Sequence, residues 1–246
     1  MTGASGEIGS ATAIEFAREN ARGVALQYNR GLRQTEDIVS RMRELGTEGI
    51  KLKADISRHN QANALVARTV EHFGRLDALV CLAGHPFQRG NWSSPFERLA
   101  PGQLRKPLDV DLLGNAFVIQ SAIPVMRRQH RGKIVLIGST PALTGDTVGI
   151  AYLIAKAGIL ALTKALAQYL GPDNVNVNAL ALGPIDTQST VGHLTAKEIK
   201  ELKAEAALKR LGTPREIARE IVFLASDDSD FITGQTIVAD GGYAMR

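Results

Sequence analysis

Short continuous apolar runs alternate along this chain with longer segments in which apolar residues recur every three or four positions. The short runs are typical of strands buried on both faces of a parallel sheet, and the longer segments have the period of helices that cover such a sheet. The predicted strands are 24–28, 49–54, 76–83, 134–137, 175–182 and 236–239, and the predicted helices are 11–20, 32–45, 60–73, 108–126, 152–170, 195–209 and 215–225. This alternation predicts an α/β fold, a doubly wound, Rossmann-like parallel sheet with helices on both faces.

A single domain, 1–246, is expected to hold the whole chain. Its 246 residues, of which 44% are hydrophobic and 22% charged, can bury one large core. The segment 85–103 is rich in proline, glycine and asparagine and is predicted to be a long irregular loop with short helical pieces. Long loops of this kind are often functional.

The first eight residues after Met1 form a glycine-rich turn, Thr2-Gly3-Ala4-Ser5-Gly6-Glu7-Ile8-Gly9, that leads into a helix. The N–H groups at the start of such a helix can hold a pyrophosphate. We therefore predict that a dinucleotide contacts Gly3, Ser5, Gly6, Ile8 and Gly9. The strand that should feed this turn would lie ahead of Met1, so the first strand is expected to be truncated and the natural start to lie upstream.

Ser139, Tyr152 and Lys156 have a spacing that a proton-transfer site can use. Ser139 follows the predicted strand 134–137, and ligands in open α/β sheets bind at the carboxyl ends of strands. Tyr152 and Lys156 are four residues apart in a predicted helix and hence share a face. A phenol ionises only near pH ~10, and a nearby ammonium makes it more useful for proton transfer at neutral pH. The pair can also arise by chance, so its meaning depends on the serine and the glycine-rich turn.

These residues resemble the short-chain dehydrogenase/reductase family over essentially the whole chain, and the pattern is most similar to its 3-oxoacyl-acyl carrier protein reductases. The resemblance implies hydride transfer between a nicotinamide cofactor and a carbonyl or secondary alcohol. Ser139 would bond the substrate oxygen and Tyr152 would exchange its proton. Lys156 would assist Tyr152, and both would contact the cofactor ribose. Asp111 would hold a relay water as a fourth catalytic residue.

The resemblance also assigns cofactor contacts to residues that follow predicted strands. These residues are Asp55, Ile56, Ala83, Gly84, Gly183, Ile185 and Thr187. Asp55 would meet the adenine amine, and the segment 183–187 would meet the nicotinamide amide. The segment 187–211, which contains the capping-box pattern of Thr195 and Glu198, would be a mobile substrate lid.

The end of the strand 24–28 bears on the choice of cofactor. Enzymes of this fold that use NAD usually carry an acidic residue there for the ribose 2′-hydroxyl, whereas a nearby arginine accommodates the 2′-phosphate of NADP. The acidic position is Tyr28 in this chain, and Asn29 and Arg30 follow it. The sequence therefore predicts NADP(H) in preference to NAD(H), with Asn29 and Arg30 as contacts. The alternative is that Arg30 is a solvated loop charge.

Five residues depart from the family pattern: Glu7 replaces a glycine, Cys81 and Leu82 replace asparagines, Asp111 replaces an asparagine, and Leu182 replaces a proline. Glu7 would place a carboxylate beside the cofactor phosphates, so repulsion or a re-routed turn is expected. Asp111 can accept a hydrogen bond from the relay water but cannot donate one. A rival interpretation is therefore a non-catalytic nucleotide-binding or scaffold protein. The intact serine, tyrosine and lysine favour the enzyme.

The charge pattern indicates a small-molecule substrate. The net charge is +4, and the basic residues are scattered except near 127–133, where a solvated helix end is a simpler interpretation than a nucleic-acid site. Arg127, Arg128 and Arg131 are also half of the basic surface with which 3-oxoacyl reductases dock their carrier, so a substrate carried on acyl carrier protein or CoA stays open. His85 could touch the substrate or be passive.

The helices 108–126 and 152–170 have few polar residues on any face. The sheet can cover only one face of each helix, so a second subunit is expected to cover the other apolar face. This predicts a homotetramer or homodimer. Lys156 and Lys164 interrupt the most apolar segment, so no membrane span is expected. Cys81 is the single cysteine, which predicts a reducing, cytoplasmic location. No metal site is expected.

Overall fold

The computed structural model describes residues 1–245 and contains a parallel sheet. Its strands are β1 (Gly23–Tyr28), β2 (Glu48–Lys53), β3 (Ala78–Cys81), β4 (Gly132–Ser139), β5 (Val175–Leu182) and β6 (Thr236–Ala239). β1 pairs with β2, and the other four lie in the order β3-β4-β5-β6. The register places Ser139 opposite Leu182, so the carboxyl ends of β4 and β5 lie at the same edge.

Residues at the start of the chain connect the two groups of strands. The Met1 ammonium donates to the Ala25 carbonyl at 2.8 Å, and Thr2 N donates to the Val80 carbonyl at 2.9 Å. Met1 and Thr2 therefore lie between β1 and β3, where a doubly wound sheet has its central strand. Thr2 forms an isolated parallel bridge with Cys81 there.

Helices connect the strands and cover the sheet. They are α1 (Glu7–Arg18), α2 (Leu32–Glu44), α3 (His59–Phe73), α4 (Arg89–Trp92), α5 (Pro101–Pro107), α6 (Asn115–Gln129), α7 (Pro141–Thr144), α8 (Ile150–Leu170), α9 (Gln188–Val191), α10 (Ala196–Glu205) and α11 (Pro214–Ala225). A π-helical segment, Leu108–Gly114, joins α5 to α6. Neighbouring strand residues face opposite layers: Ile134 packs with the α3, α6 and α8 side and Val135 with the α11 side. The predicted doubly wound fold is confirmed.

Two predicted boundaries were wrong for reasons that lie far away in the sequence. The predicted helix 195–209 ends at Glu205, because Ala207 N and Leu208 N donate instead to the Gly242 and Gly241 carbonyls. The predicted strand 134–137 extends over eight residues, Gly132–Ser139, because every one of them pairs with β5. The capping box of Thr195 and Glu198 forms as predicted.

Two helical stretches, Pro101–Gln129 and Ile150–Asp173, are long and apolar enough to cross a membrane by length and composition. Core helices of globular proteins have the same properties, and both stretches pack on the sheet through buried residues such as Val118 and Ile159. In their most apolar windows only 33% and 44% of the residues are buried. Leu113, Ile154 and Tyr169 are exposed on these two stretches.

Candidate active site

The three predicted catalytic side chains belong to the end of β4 and the first turns of α8. Ser139 is the last residue of β4 and is buried, whereas Tyr152 is half-buried in the first turn of α8. The Lys156 ammonium lies 5.5 Å from the centre of the Tyr152 ring, as their spacing of four residues predicts. Neither the Ser139 hydroxyl nor the Tyr152 hydroxyl forms a hydrogen bond within residues 1–245. Both can therefore bind a substrate oxygen.

The Lys156 ammonium is buried and paired. Its Nζ lies 3.2 Å from Asp111 Oδ1 and donates to the Ile137 carbonyl at 3.0 Å. Burial by itself would lower the pKa of Lys156, but the charges of Asp111 and Tyr152 outweigh it, so the pKa is raised. Lys156 therefore carries its charge beside the phenol at neutral pH.

Asp111 lies in the π-helical segment and is 1% exposed. π-Helical turns are frequent at functional sites. Its Oδ2 accepts from the His85 main-chain N–H at 2.6 Å, and its Oδ1 faces Lys156. The carboxylate thus joins the loop 85–103, which we call the substrate loop, to Lys156. This contact uses the main chain of His85; whether its side chain touches a substrate stays a prediction.

The glycine-rich turn has the shape that a dinucleotide requires. Gly3 has a φ of +64°, and a Cβ there would lie 2.7 Å from Ala83 N. Gly9 packs as closely, because a Cβ on it would lie 2.3 Å from the Gly3 carbonyl oxygen. α1 begins after Gly6 without a side-chain cap, so no side chain competes for its first N–H groups. The turn therefore fits a pyrophosphate at the amino end of α1.

Glu7 connects this turn to the segment 187–211, which is predicted to be a lid. Its Oε1 accepts from the main-chain N–H of Gln188, the first residue of α9, at 2.6 Å. The turn keeps the close approach of Gly3 to Ala83 that the glycine pattern predicts. Glu7 therefore changes what the turn contacts, and its carboxylate stands between two segments assigned to the cofactor.

The remaining predicted cofactor residues lie along the same edge of the sheet. Asn29 and Arg30 are exposed after β1, and Ser5 Oγ donates to the Arg30 carbonyl at 3.0 Å. The Arg30 side chain forms no ion pair with any other described residue. It is therefore free to bind a phosphate.

Asp55 and Ile56 follow β2, and the Asp55 carboxylate is already engaged. Its Oδ1 accepts from the Ser57 hydroxyl at 2.6 Å, and Arg58 lies 3.5 Å from its Oδ2. Ile56 is buried against Gly114, where a Cβ would lie 2.9 Å from its side chain. Asp55 shapes this turn through these contacts, and its contact with the adenine amine stays a prediction.

Gly183, Ile185 and Thr187 follow β5. A Cβ on Gly183 would lie 2.5 Å from that of Asp240, so glycine is needed for close packing there. Ile185 is buried. The Thr187 hydroxyl caps α9 by accepting from Thr190 N at 3.3 Å. The structure thus places Thr187 between β5 and α9, at the start of the segment predicted to be a lid.

Asn115 is a site residue that the sequence analysis missed. It is 2% exposed, and its Nδ2 donates to the Ala83 carbonyl at 3.0 Å and to the Asp111 carbonyl at 2.8 Å. Its Oδ1 accepts from the Thr2 hydroxyl at 3.3 Å, and that hydroxyl accepts from Ala83 N at 3.1 Å. Asn115 therefore holds Ala83 in place, directly after Cys81 and Leu82, which replace the family's two asparagines. The available signal was a polar residue in an otherwise apolar helix.

Gln27 was missed for the same reason, as a polar residue in an apolar strand. Its Oε1 accepts from Gly3 N at 2.8 Å, and its Nε2 donates to the Ala54 carbonyl at 2.7 Å. Gln27 thereby holds the glycine-rich turn against the end of β2. Among residues 1–245 no group of three or more His, Cys, Asp or Glu side chains could hold a metal ion.

Comparison with known proteins identifies the family. A family model described as enoyl-(acyl carrier protein) reductase matches residues 3–244. An L-rhamnose 1-dehydrogenase (NAD(P)(+)) from Sphingomonas sp. (strain SKA58) is 35% identical over 245 residues, which is 98% of this chain and 94% of the relative. The chain belongs to the short-chain dehydrogenase/reductase family. It is therefore an NAD(P)-dependent oxidoreductase that acts on CH–OH and C=O groups, and the rival scaffold interpretation loses its support.

Other members show how widely substrates vary within the family. A 7alpha-hydroxysteroid dehydrogenase from Bacteroides fragilis (strain ATCC 25285) is 31% identical and covers 100% of this chain and 93% of its own. The crystal structure of a 3-oxoacyl-[acyl-carrier protein] reductase from Brucella melitensis ATCC 23457 superposes with a TM-score of 0.90 at 30% identity, covering 99% of this chain and 90% of that one. Membership of the family therefore leaves the substrate open.

Proposed function

We propose that the protein transfers a hydride between NADP(H) and a carbonyl or secondary alcohol, with Tyr152 as the proton donor and acceptor. The observation that carries this proposal is the buried Lys156 ammonium, held by Asp111 and the Ile137 carbonyl beside the phenol. A scaffold has no need for a charged lysine next to a tyrosine whose hydroxyl is free.

In the direction of reduction each of these residues has a separate role. NADPH, when bound, supplies the hydride that the carbonyl carbon accepts. The Ser139 hydroxyl donates a hydrogen bond to the carbonyl oxygen, and the Tyr152 phenol gives its proton to that oxygen as negative charge develops. Lys156 stabilises the phenolate that remains, and Asp111 holds Lys156 in place. Oxidation of the alcohol runs through the same groups in reverse.

Replacing Tyr152 by phenylalanine tests this assignment. Tyr152→Phe removes the proton donor and little volume, so kcat should fall by at least ~100-fold while the Kd for NADPH stays the same. Tyr169→Phe, which changes an exposed tyrosine of the same helix, should keep full activity. A Tyr152→Phe enzyme with more than about a tenth of wild-type kcat would exclude Tyr152 as the acid.

The preference for NADP(H) rests on Arg30. Its side chain is exposed beside Ser5 at the glycine-rich turn and has no carboxylate partner among the described residues. A charge-assisted bond to the 2′-phosphate contributes about 1.5–3 kcal/mol. Arg30→Ala should therefore weaken NADPH binding roughly tenfold to a hundredfold and leave NADH binding unchanged. Arg22→Ala, at the opposite end of β1, is the matched control.

A 3-oxoacyl thioester is one substrate that relatives suggest. Reductases of such thioesters would need a basic surface for the carrier, but Arg127 pairs with Asp173 at 2.6 Å, and Arg131 pairs with Asp227. Arg128 is left as the exposed cation of this group. The carrier surface is thus largely neutralised within the chain, which favours a free small molecule over a carrier-bound substrate.

We also propose a cytoplasmic homotetramer. Leu113 and Ile154 are exposed on the layer that contains the π-helical segment and α8, and Phe223 and Val238 are exposed at the opposite end of the sheet on α11 and β6. Two separate apolar surfaces are what a tetramer with two kinds of two-fold interface requires. Light scattering should give the mass of four chains, and Ile154→Glu should reduce it. The buried thiol of Cys81 fits a reducing location.

A further inference from the structure

Aromatic rings form a continuous strip from the catalytic tyrosine to the lid. The Trp92 ring centre lies 5.6 Å from that of Tyr152, the Phe87 ring lies 5.3 Å from Trp92, and the His193 ring lies 5.1 Å from Phe87. These distances are within the range of interacting aromatic pairs. We call these four residues the aromatic wall, which begins directly beside the proton donor.

Trp92 is fixed relative to Tyr152 by the main chain. Gly149 N donates to the Trp92 carbonyl at 2.8 Å, and Gly149 is the N-cap residue of α8, three residues before Tyr152. Gly149 has a φ of +67°, and a Cβ on it would lie 2.6 Å from the Trp92 ring. A glycine at this position thus allows the indole to pack directly on the start of α8.

The far end of the wall is held by one arginine. Arg89 pairs with Glu198 of α10 at 2.8 Å and also donates to the His193 carbonyl. This connects the loop 85–103 to the segment 187–211 and pairs the guanidinium at the far end of the wall. The wall therefore presents apolar ring faces with no unpaired charge from Arg89.

The two cations next to the wall are both paired. Arg89 pairs with Glu198 at 2.8 Å, and Lys156, whose ammonium lies 5.5 Å from the Tyr152 ring, pairs with Asp111 at 3.2 Å. The wall therefore offers no unpaired cation from these two residues to a phosphate or carboxylate group.

We propose that the aromatic wall binds the ring of an uncharged cyclic secondary alcohol or ketone, and that Trp92 selects rings over open chains. This assignment rests on the proposed function, because it names the substrate class of the same site. A saturated ring places a whole face against the indole and binds as a rigid body. An open chain of the same size must lose internal rotations to make the same contact.

Trp92 is the only tryptophan of the chain, so its fluorescence reports on the wall without turnover. Cyclohexanol and 2-hexanol, each with six carbons, are titrated into the NADPH-loaded protein, because reduced cofactor and an alcohol cannot exchange a hydride. Contacts with an aromatic face are worth a few-fold to tenfold in affinity. We expect half-saturation of the fluorescence change at a concentration of cyclohexanol roughly threefold to tenfold below that of 2-hexanol.

Kinetics with variants complete the test. Wild type should prefer cyclohexanone over 2-hexanone in kcat/KM by about the same factor. Trp92→Leu should remove this preference, and Trp92→Phe should keep part of it. Phe96→Leu is the control, because Phe96 is an exposed aromatic residue of the same loop that has no ring partner in the wall.

The outcomes separate the two proposals. Equal affinity for the two alcohols, or a rise in kcat/KM for both ketones in Trp92→Leu, would overturn the assignment of the wall, the latter because it shows that the indole blocks the site. If cyclohexanol binds preferentially but no ketone is reduced, the ring site stands and the hydride transfer fails. If both ketones are reduced equally well, the hydride transfer stands and the ring site fails.

Discussion

The relay region around Asp111 and the glycine-rich turn around Glu7 both depart from the family pattern, but they do so in different surroundings. Asp111 is 1% exposed, and both of its carboxylate oxygens have partners in Lys156 and His85 N. Glu7 is exposed and has one hydrogen bond, to Gln188 N.

The comparison shows what burial demands of a substitution. In the buried region an unpaired polar group costs about 1–3 kcal/mol, so changes there must come with new partners. Asn115 is such a partner, because its amide bonds Ala83 from the neighbouring helix where Cys81 and Leu82 provide no amide. At the exposed turn water can solvate the carboxylate, so Glu7 needs no compensation. Substitutions in the buried region should therefore change stability and rate, and substitutions at the turn should change cofactor affinity alone.

The largest effect is expected from Asn115→Leu. This change leaves the Ala83 carbonyl and the Thr2 hydroxyl without their buried partner, so it should lower the free energy of unfolding by about 2–4 kcal/mol. For a chain of this size the melting temperature should fall by roughly 5–15 °C. Gln120→Ala, an exposed change on the same helix, should alter it little. An unchanged melting temperature in Asn115→Leu would show that this network does not stabilise the site.

Asp111→Asn should raise kcat several-fold at neutral pH while lowering stability. Asp111 raises the pKa of Lys156, so its removal lowers that pKa. In the direction of reduction, activity is lost as pH rises through the ionisation of the acid, and the alkaline limb of the kcat profile should move to lower pH. The amide can still accept from His85 N and supplies a donor.

The pH profile separates this role from a purely structural one. If Asp111→Asn leaves both kcat and the alkaline limb unchanged, Asp111 lies outside the proton path. In that case only the melting temperature would respond, and the carboxylate would serve to join the substrate loop to the π-helical segment.

A smaller effect is expected at the turn. Glu7→Gln removes a negative charge next to the predicted site of the cofactor diphosphate, so NADPH should bind roughly twofold to fivefold more tightly at low ionic strength, with the gain declining as salt is added. Calorimetric titration measures this without turnover. Glu19→Gln, at the other end of α1, is the control. Weaker NADPH binding in Glu7→Gln would mean that its bond to Gln188 helps to form the site.

The smallest effect is expected at Cys81, a buried residue that replaces an asparagine of the family pattern. Burial raises the pKa of its thiol to about 12, so the native protein should not react with a thiol reagent at pH 8, whereas the unfolded protein should react fully. Rapid labelling of the native protein would contradict the tight packing assigned to this strand end.

Much of the site followed from the sequence because its signals are local. The spacing of Tyr152 and Lys156 places both on one helix face. The glycine-rich turn predicts a helix directly after it, although α1 begins at Glu7, four residues before the predicted start. The apolar runs located all six strands of the described sheet, since a strand buried on both faces must be apolar throughout.

Tertiary structure decided which polar groups meet across distant segments. Asn115 and Gln27 are buried hydrogen-bonding residues whose partners lie on other elements, and no local pattern names those partners. The contact of Glu7 with Gln188 spans the chain from its first helix to its lid. The ring of Trp92 reaches Tyr152 only because the loop after β3 folds onto the start of α8. Local periodicity specifies elements and their buried faces, whereas the chemistry at their ends depends on where the sheet places those ends.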